Sequence, residues 1–162
     1  MPGLEDLYRE IILDHYRAPR NRGVLPVPPA NKHEGFNPLC GDEVLVYLQL
    51  GDDGTVEDIK IDGQGCSISQ ASSSMMSAAV KGKPSDEARR LIRAFKALMS
   101  IHESKLDGEQ ASGEDLEAEL AGVQLGDLEA LQGVVKFPVR IKCATLAWNT
   151  LQQGLDEVAP VT

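Results

Sequence analysis

A period-two run of apolar residues, closed by a tight turn, sets the architecture of this 162-residue chain before anything else does. Val44, Val46, Leu48 and Leu50 alternate with Leu45, Tyr47 and Gln49, which describes a strand with one face better buried than the other. Gly51-Asp52-Asp53-Gly54 carries hairpin-turn chemistry, and Val56 to Asp62 returns as a second strand carrying Ile59 and Ile61. A third, shorter strand is expected either before Cys40 or leading into Cys66.

The other periodic segments are helical. Leu4, Leu7, Tyr8, Ile11 and Ile12 recur at helical spacing until Pro19, because the residue before a proline is pushed out of the helical region. Residues 19–35, with four prolines, read as an extended segment without a core of its own. Ser67 to Val80 reads as a helix with an Ile68, Ala71, Met75, Ala79 stripe, whose small serines and alanines allow close packing. Lys81-Gly82-Lys83-Pro84 is a break, and Ser85 is the expected N-cap of a helix striped by Ala88, Leu91, Ile92, Phe95, Leu98 and Met99. Gly133 reads as a stop and Pro138 as a break, before a last helix from Ile141 to Val158 that buries Ala144, Trp148, Leu151 and Leu155. Strands grouped ahead of a run of helices predict an α+β domain spanning 1–162, with helices on one face of a small antiparallel sheet of about three strands.

Charge is distributed unevenly. The net charge is −9, yet residues 101–132 hold nine acids and a single lysine, so the remainder of the chain is nearly neutral. This acidic stretch reads as a solvated connection with short helices around Leu116–Leu120 and Leu125–Leu131. No nucleic-acid reading motif is present, and no apolar run approaches the roughly 20 residues of a membrane span. The opening MPGLEDLYRE lacks a basic-then-apolar leader pattern, so the expected location is cytoplasmic, with neither nucleic acid nor membrane as partner.

Three cysteines remain to be explained: Cys40, Cys66 and Cys143. An odd, sparse set is a poor disulfide framework, which directs attention to metal binding or thiol chemistry. Cys66 follows Gly65 and precedes a helix, where free N–H groups and the helix dipole favour a thiolate. Cys143 is expected in the first turn of the last helix, near Arg140 and Lys142. Cys40 lies in a Pro/Gly loop with Asp42 two residues on, and three thiolates with one carboxylate would complete a tetrahedral zinc site. With no CxxC pair, the residues alone leave a shared metal site and three isolated core cysteines both open. His15, His33 and His102 read as surface or loop residues rather than ligands.

Several blocks in series carry a more specific signal. Ile12-Leu13-Asp14-His15-Tyr16-Arg17-Ala18-Pro19-Arg20-Asn21-Arg22-Gly23 resembles the first-helix signature of the IscU/NifU-type iron–sulfur assembly proteins. Asn37-Pro38-Leu39-Cys40-Gly41-Asp42, Gly63-Gln64-Gly65-Cys66-Ser67-Ile68-Ser69-Gln70 and Lys136-Phe137-Pro138-Val139-Arg140-Ile141-Lys142-Cys143 resemble that family's three cysteine blocks. Scaffold members carry a histidine directly before the third cysteine; here Lys142 stands there, with Arg140 two residues earlier and an insertion upstream. Those features are similar to the SufU-type branch.

The resemblance implies a zinc-dependent sulfurtransferase of iron–sulfur cluster biogenesis, with Zn²⁺ on Cys40, Asp42, Cys66 and Cys143. It implies Cys40 as acceptor of persulfide sulfur from a SufS-type cysteine desulfurase, and downstream Suf cluster-assembly proteins as further partners. Arg140 and Lys142 would offset the excess negative charge of the ligand set or steer the incoming persulfide. The helix-one region from Asp14 to Arg22 becomes a candidate docking surface. Two alternatives are an IscU-like scaffold carrying a transient iron–sulfur cluster, and a zinc-containing activator of the desulfurase that never carries sulfur.

Overall fold

A computed structural model describes residues 4–27, 30–38, 41–107, 126–136 and 138–158. Helix α1 (Leu4–Arg17) is followed by strands β1 (Asn31–Asn37), β2 (Asp42–Leu50) and β3 (Val56–Gln64), then helices α2 (Ser67–Val80) and α3 (Ser85–Asp107). A run of 3₁₀ turns (Gly126–Lys136) leads into the last helix, α4 (Pro138–Val158). The sheet has the order β1-β2-β3 and both pairings are antiparallel, so the third strand lies before Cys40. Val46 faces Ile61 and Leu48 faces Ile59 across the β2–β3 ladder. These four side chains are buried and meet Met75, Met76, Phe95, Trp148 and Leu151 of the helices, which therefore cover one face of the sheet.

Packing between α2 and α4 explains the serines of α2. Trp148 is fully buried, stacks on Phe95 with ring centroids 4.6 Å apart, and donates its indole N–H to Ser72 Oγ at 3.0 Å. Ser72 passes its own proton to the Ala144 carbonyl at 2.5 Å, so the hydroxyl is satisfied in both directions. The serines thus supply hydrogen bonds as well as room.

Several expectations need correction. The segment after Pro19 does build a small core: Leu25 and Ala30 pack on Tyr47 and Leu45, on the face of the sheet opposite the helices. Its residues 31–37 are the first strand, which the prolines and glycines of the segment hid. Ser85 is the first residue of α3 rather than the residue before it, and its hydroxyl donates to the Gly54 carbonyl. Pro138 opens α4 rather than breaking the chain, as a proline's missing N–H costs nothing in a first helical turn. Cys143 consequently lies in the second turn of α4.

The acidic stretch is not simply a solvated connection. Residues 101–107 prolong α3, and Leu128, Ala130, Leu131 and Val134 of the 3₁₀ run are buried in the main core. That run also continues through Gly133 instead of stopping there. The short helix expected at Leu116–Leu120 lies outside the described residues.

Two histidines expected at the surface are buried as well. His15 of α1 is 2% exposed, with Nδ1 2.8 Å from Ser74 Oγ and Nε2 2.9 Å from Asp127 Oδ2. His33 of β1 is 7% exposed and pairs through Nδ1 with Glu157 at 3.1 Å. Neither falls in a grouping of metal-ligating side chains among the described residues. Nor is any described helix long and apolar enough to cross a membrane.

Candidate metal centre

The paired ends of β1 and β2 and the β3–α2 connection converge with the start of α4. Asn37 and Asp42 face each other at the last step of the β1–β2 ladder. Next to them the β3–α2 loop presses on β2. Gly63 has φ +116°, which L side chains rarely adopt, and a Cβ there would strike the Glu43 carbonyl oxygen. A Cβ on Gly65 would stand 2.5 Å from Asp42 Oδ1 and 3.1 Å from Asp42 Cα. The two glycines are what allow the loop to lie this close, and they bring Cys66 to Asp42.

Asp42 is fully buried and its Oδ1 accepts the Cys66 backbone N–H at 2.9 Å. Cys66 caps α2: its backbone is extended, and its sulfur accepts the Ser69 N–H at 3.4 Å. No acid occupies the first turn of α2, so the positive end of the helix dipole is left to Cys66 and Asp42. Cys66 Sγ lies 3.9 Å from Asp42 Oδ2. Cys143 is fully buried on α4, where Asn37 Nδ2 donates to its sulfur at 3.8 Å. The ligand atoms of Asp42, Cys66 and Cys143 all lie within 4.8 Å of one another.

This grouping has the chemistry of a metal site. Two sulfurs and a carboxylate oxygen on a tetrahedral zinc stand about 3.5–3.8 Å apart, given the usual Zn–S and Zn–O lengths. The observed separations need only a small contraction to reach that. Without a cation, a buried carboxylate facing two potential thiolates is electrostatically unfavourable. The donor set therefore fits zinc.

Arg140 is the charged neighbour of the cluster. It precedes Cys143 by three residues, on the same face of α4. Negative charge on Cys66 foremost, with a hydrogen bond and charge from Cys143, raises its guanidinium pKa above the ordinary arginine value. Lys142 is exposed and lies a single position from Cys143, about 100° round the helix. Cys40 itself lies outside the described residues, while Asn37 and Asp42 on either side of it in sequence both border the cluster.

Asn37 is the site residue that the sequence reading did not single out. Its signal was present, as an amide-bearing residue three positions before a cysteine. Only the strand register shows that its side chain turns inward, toward α4.

The chain resembles known proteins along nearly its whole length. The family model described as the NifU-like N terminal domain matches residues 7–125, a span that includes Cys40, Asp42 and Cys66 and ends before Cys143. The zinc-dependent sulfurtransferase SufU of Bacillus subtilis (strain 168) is 44% identical over 155 residues, covering 94% of this chain and 91% of the relative. The iron–sulfur cluster assembly scaffold protein IscU of Streptococcus pyogenes serotype M1 is 38% identical, covering 96% of this chain and 87% of that one. Among solved structures, FiSufU of the SUF system from Fervidobacterium islandicum AW-1 superposes with a TM-score of 0.72 at 30% identity, over 94% of this chain and 99% of that chain.

Proposed function

Because the chain belongs to the NifU-like N-terminal domain family, we propose that it is a cytoplasmic, zinc-dependent sulfurtransferase of iron–sulfur cluster assembly, acting as one domain. The observation that carries this reading is the convergence of Asp42, Cys66 and Cys143 within 4.8 Å. The similarity to a zinc-dependent sulfurtransferase over nine-tenths of both chains supports it. In this reading Cys40 supplies the fourth ligand position and is the sulfur acceptor. The sulfur donor is a SufS-type cysteine desulfurase, and downstream Suf assembly proteins receive the product.

Zinc, when bound, holds the cysteines as thiolates and brings no redox chemistry that would oxidise them. The remaining work belongs to the chain's own residues. Asp42 and Cys66 are fixed to each other through the Cys66 amide, and Cys143 is set in a helix, so these three stay in place. In this reading the reacting thiol is that of Cys40, in the sequence stretch Asn37-Pro38-Leu39-Cys40-Gly41-Asp42. Its thiolate attacks the terminal sulfur of the donor's persulfide. A new S–S bond forms on Cys40, the donor's S–S bond breaks, and the donor cysteine departs as a thiolate with no net oxidation. Arg140, beside both sulfurs, is placed to balance the incoming negative charge.

The test is to incubate the protein with desulfurase and cysteine and read the mass of the peptide containing Cys40. An added sulfur atom on that peptide is expected, and Cys40→Ala should abolish desulfurase-stimulated transfer while leaving the fold intact. Full stimulation by the variant, or a protein that activates the desulfurase without ever carrying sulfur, overturns the assignment. The similarity to IscU supports a second reading, a scaffold on which a cluster is built. Protein purified without added metal separates the two: stoichiometric zinc without acid-labile sulfide supports transfer, and bound iron with sulfide supports the scaffold.

A further inference from the structure

Cys66 owes its position to a loop that contains Gly63 and Gly65 and hence has little stiffness of its own. What holds this loop comes from far away in the sequence. After α1 the chain runs alongside β3: the Ile61 N–H donates to the Asn21 carbonyl at 2.9 Å, and the Gly23 N–H donates to the Ile61 carbonyl at 3.0 Å. Arg22 lies between these two bonds, in a parallel bridge with Ile61. Its guanidinium reaches both flanks of the Cys66 loop. Nη2 donates to the Gly63 carbonyl at 3.0 Å and approaches Asp62 Oδ1 at 3.4 Å, at the end of β3. Nη1 donates to Gln70 Oε1 at 3.0 Å, in the first turn of α2. Gln70 is the residue whose backbone N–H closes the first turn on the Cys66 carbonyl, at 3.0 Å.

We propose that Arg22 is a positioning residue for the metal centre: its planar fork ties the end of β3 to the start of α2 and so fixes the span of the loop that presents Cys66. The inference rests on the metal-centre reading above. Arg22 bonds to Asp62, Gly63 and Gln70 rather than to Asp42 or Cys66, so its effect passes through the backbone between residues 63 and 70. The fork shape matters more than the charge. A guanidinium serves two acceptors in fixed directions from one plane, whereas an ammonium on a flexible stem does not.

Three proteins distinguish these roles: wild type, Arg22→Gln and Arg22→Lys, with Lys83→Gln as a surface control. Each is read by amide hydrogen exchange of peptides covering 63–70, by zinc competition against a chromogenic chelator, and by the absorption spectrum of the cobalt-loaded form. Arg22→Gln should retain its helical circular dichroism, exchange faster across 63–70, and bind zinc about tenfold more weakly, at the low end for residues that orient ligands. Its cobalt bands should shift as the tetrahedral geometry distorts. Arg22→Lys should behave like Arg22→Gln, because the fork is lost although the charge is kept. Full rescue by Arg22→Lys, or exchange and cobalt spectra in Arg22→Gln equal to wild type, overturns the proposal. Failure of the wild-type protein to bind zinc or cobalt overturns the metal-centre reading instead, and the exchange of 63–70 in the variants still decides whether Arg22 fixes the loop.

Discussion

Two buried polar groupings in this protein are each assembled from three elements far apart in sequence, and they are finished to different degrees. In the first, Ser74 of α2 accepts the Arg20 amide at 2.8 Å and His15 of α1 stands 2.8 Å from the same oxygen. The other imidazole nitrogen meets Asp127 of the 3₁₀ run at 2.9 Å. A neutral imidazole satisfies all of this: Nε2–H donates to the carboxylate, and Nδ1 accepts the serine proton that the Arg20 contact leaves available. Donors and acceptors match, and nothing further is needed. In the second grouping, a carboxylate and two sulfurs, all able to carry negative charge, face one another within 4.8 Å, and Arg140 reaches them from an exposed position. A grouping that closes on itself holds the fold together, whereas one with surplus anionic capacity is built for a cation.

The largest expected effect breaks the second grouping outright. Asp42→Ala removes a ligand and the acceptor of the Cys66 amide together, so zinc affinity should fall at least about a hundredfold, beyond what is usual for residues that merely orient ligands. Isothermal titration with zinc checks this, and near-normal affinity would mean that the cluster is not a metal site. A subtler change keeps every ligand. Gly65→Ala places a methyl group against a buried carboxylate and its backbone, so Asp42 must shift. A loss of about tenfold in zinc affinity is expected, with little change in the circular dichroism of the helices.

The first grouping should respond in the opposite sense. His15→Ala takes away the acceptor of the Ser74 hydroxyl proton, frees Asp127, and opens a gap between α1 and the 3₁₀ run. The expected cost is about 1–3 kcal/mol, as for a buried polar group deprived of its bond. For a chain of this size each kcal/mol lowers the melting temperature by about 2–4 °C. Zinc affinity should remain at the wild-type value. If His15→Ala weakens zinc binding as strongly as Gly65→Ala, the two groupings are coupled and the contrast between them fails.

The same contrast explains what could be read in advance. The strand pair from Val44 to Ile61, and the stripes of α2, α3 and α4, were legible because apolar periodicity survives any tertiary context. Asp42 and Cys66 were legible because a carboxylate and a sulfur each follow a glycine at the edge of an element, and Cys143 because the family resemblance put it in order with them. His15 was read as a surface residue because it is polar and follows Asp14 in an otherwise ordinary amphipathic helix. Its partners lie 59 and 112 residues away, and no local pattern announces them. The acidic stretch misled for a related reason. Asp127 and Glu129 are exposed, while Leu128 and Leu131 beside them are buried, and composition averages over both.

At the rim of the closed grouping lies a pair that should matter least. Asp14, next to His15, bonds Arg20 at 2.6 Å in solvent, with both side chains exposed. The hydrogen bond from Arg20, and then its charge, hold the Asp14 carboxyl below its ordinary value. A carboxyl depressed in the folded state favours folding above its unfolded value and loses that contribution as pH falls through the folded one. For Asp14 the loss should therefore occur only below about pH 4, where an unperturbed aspartate protonates. Asp14→Asn should leave the melting temperature at neutral pH almost unchanged in high salt, where an exposed pair is screened. It should flatten slightly the melting temperature against pH on the acid side. A large drop at neutral pH would mean that the pair acts through Arg20 on Ser74, whose hydroxyl accepts the Arg20 amide. The closed grouping would then extend to the surface, and its separation from solvent would be less complete than the burial of His15 indicates.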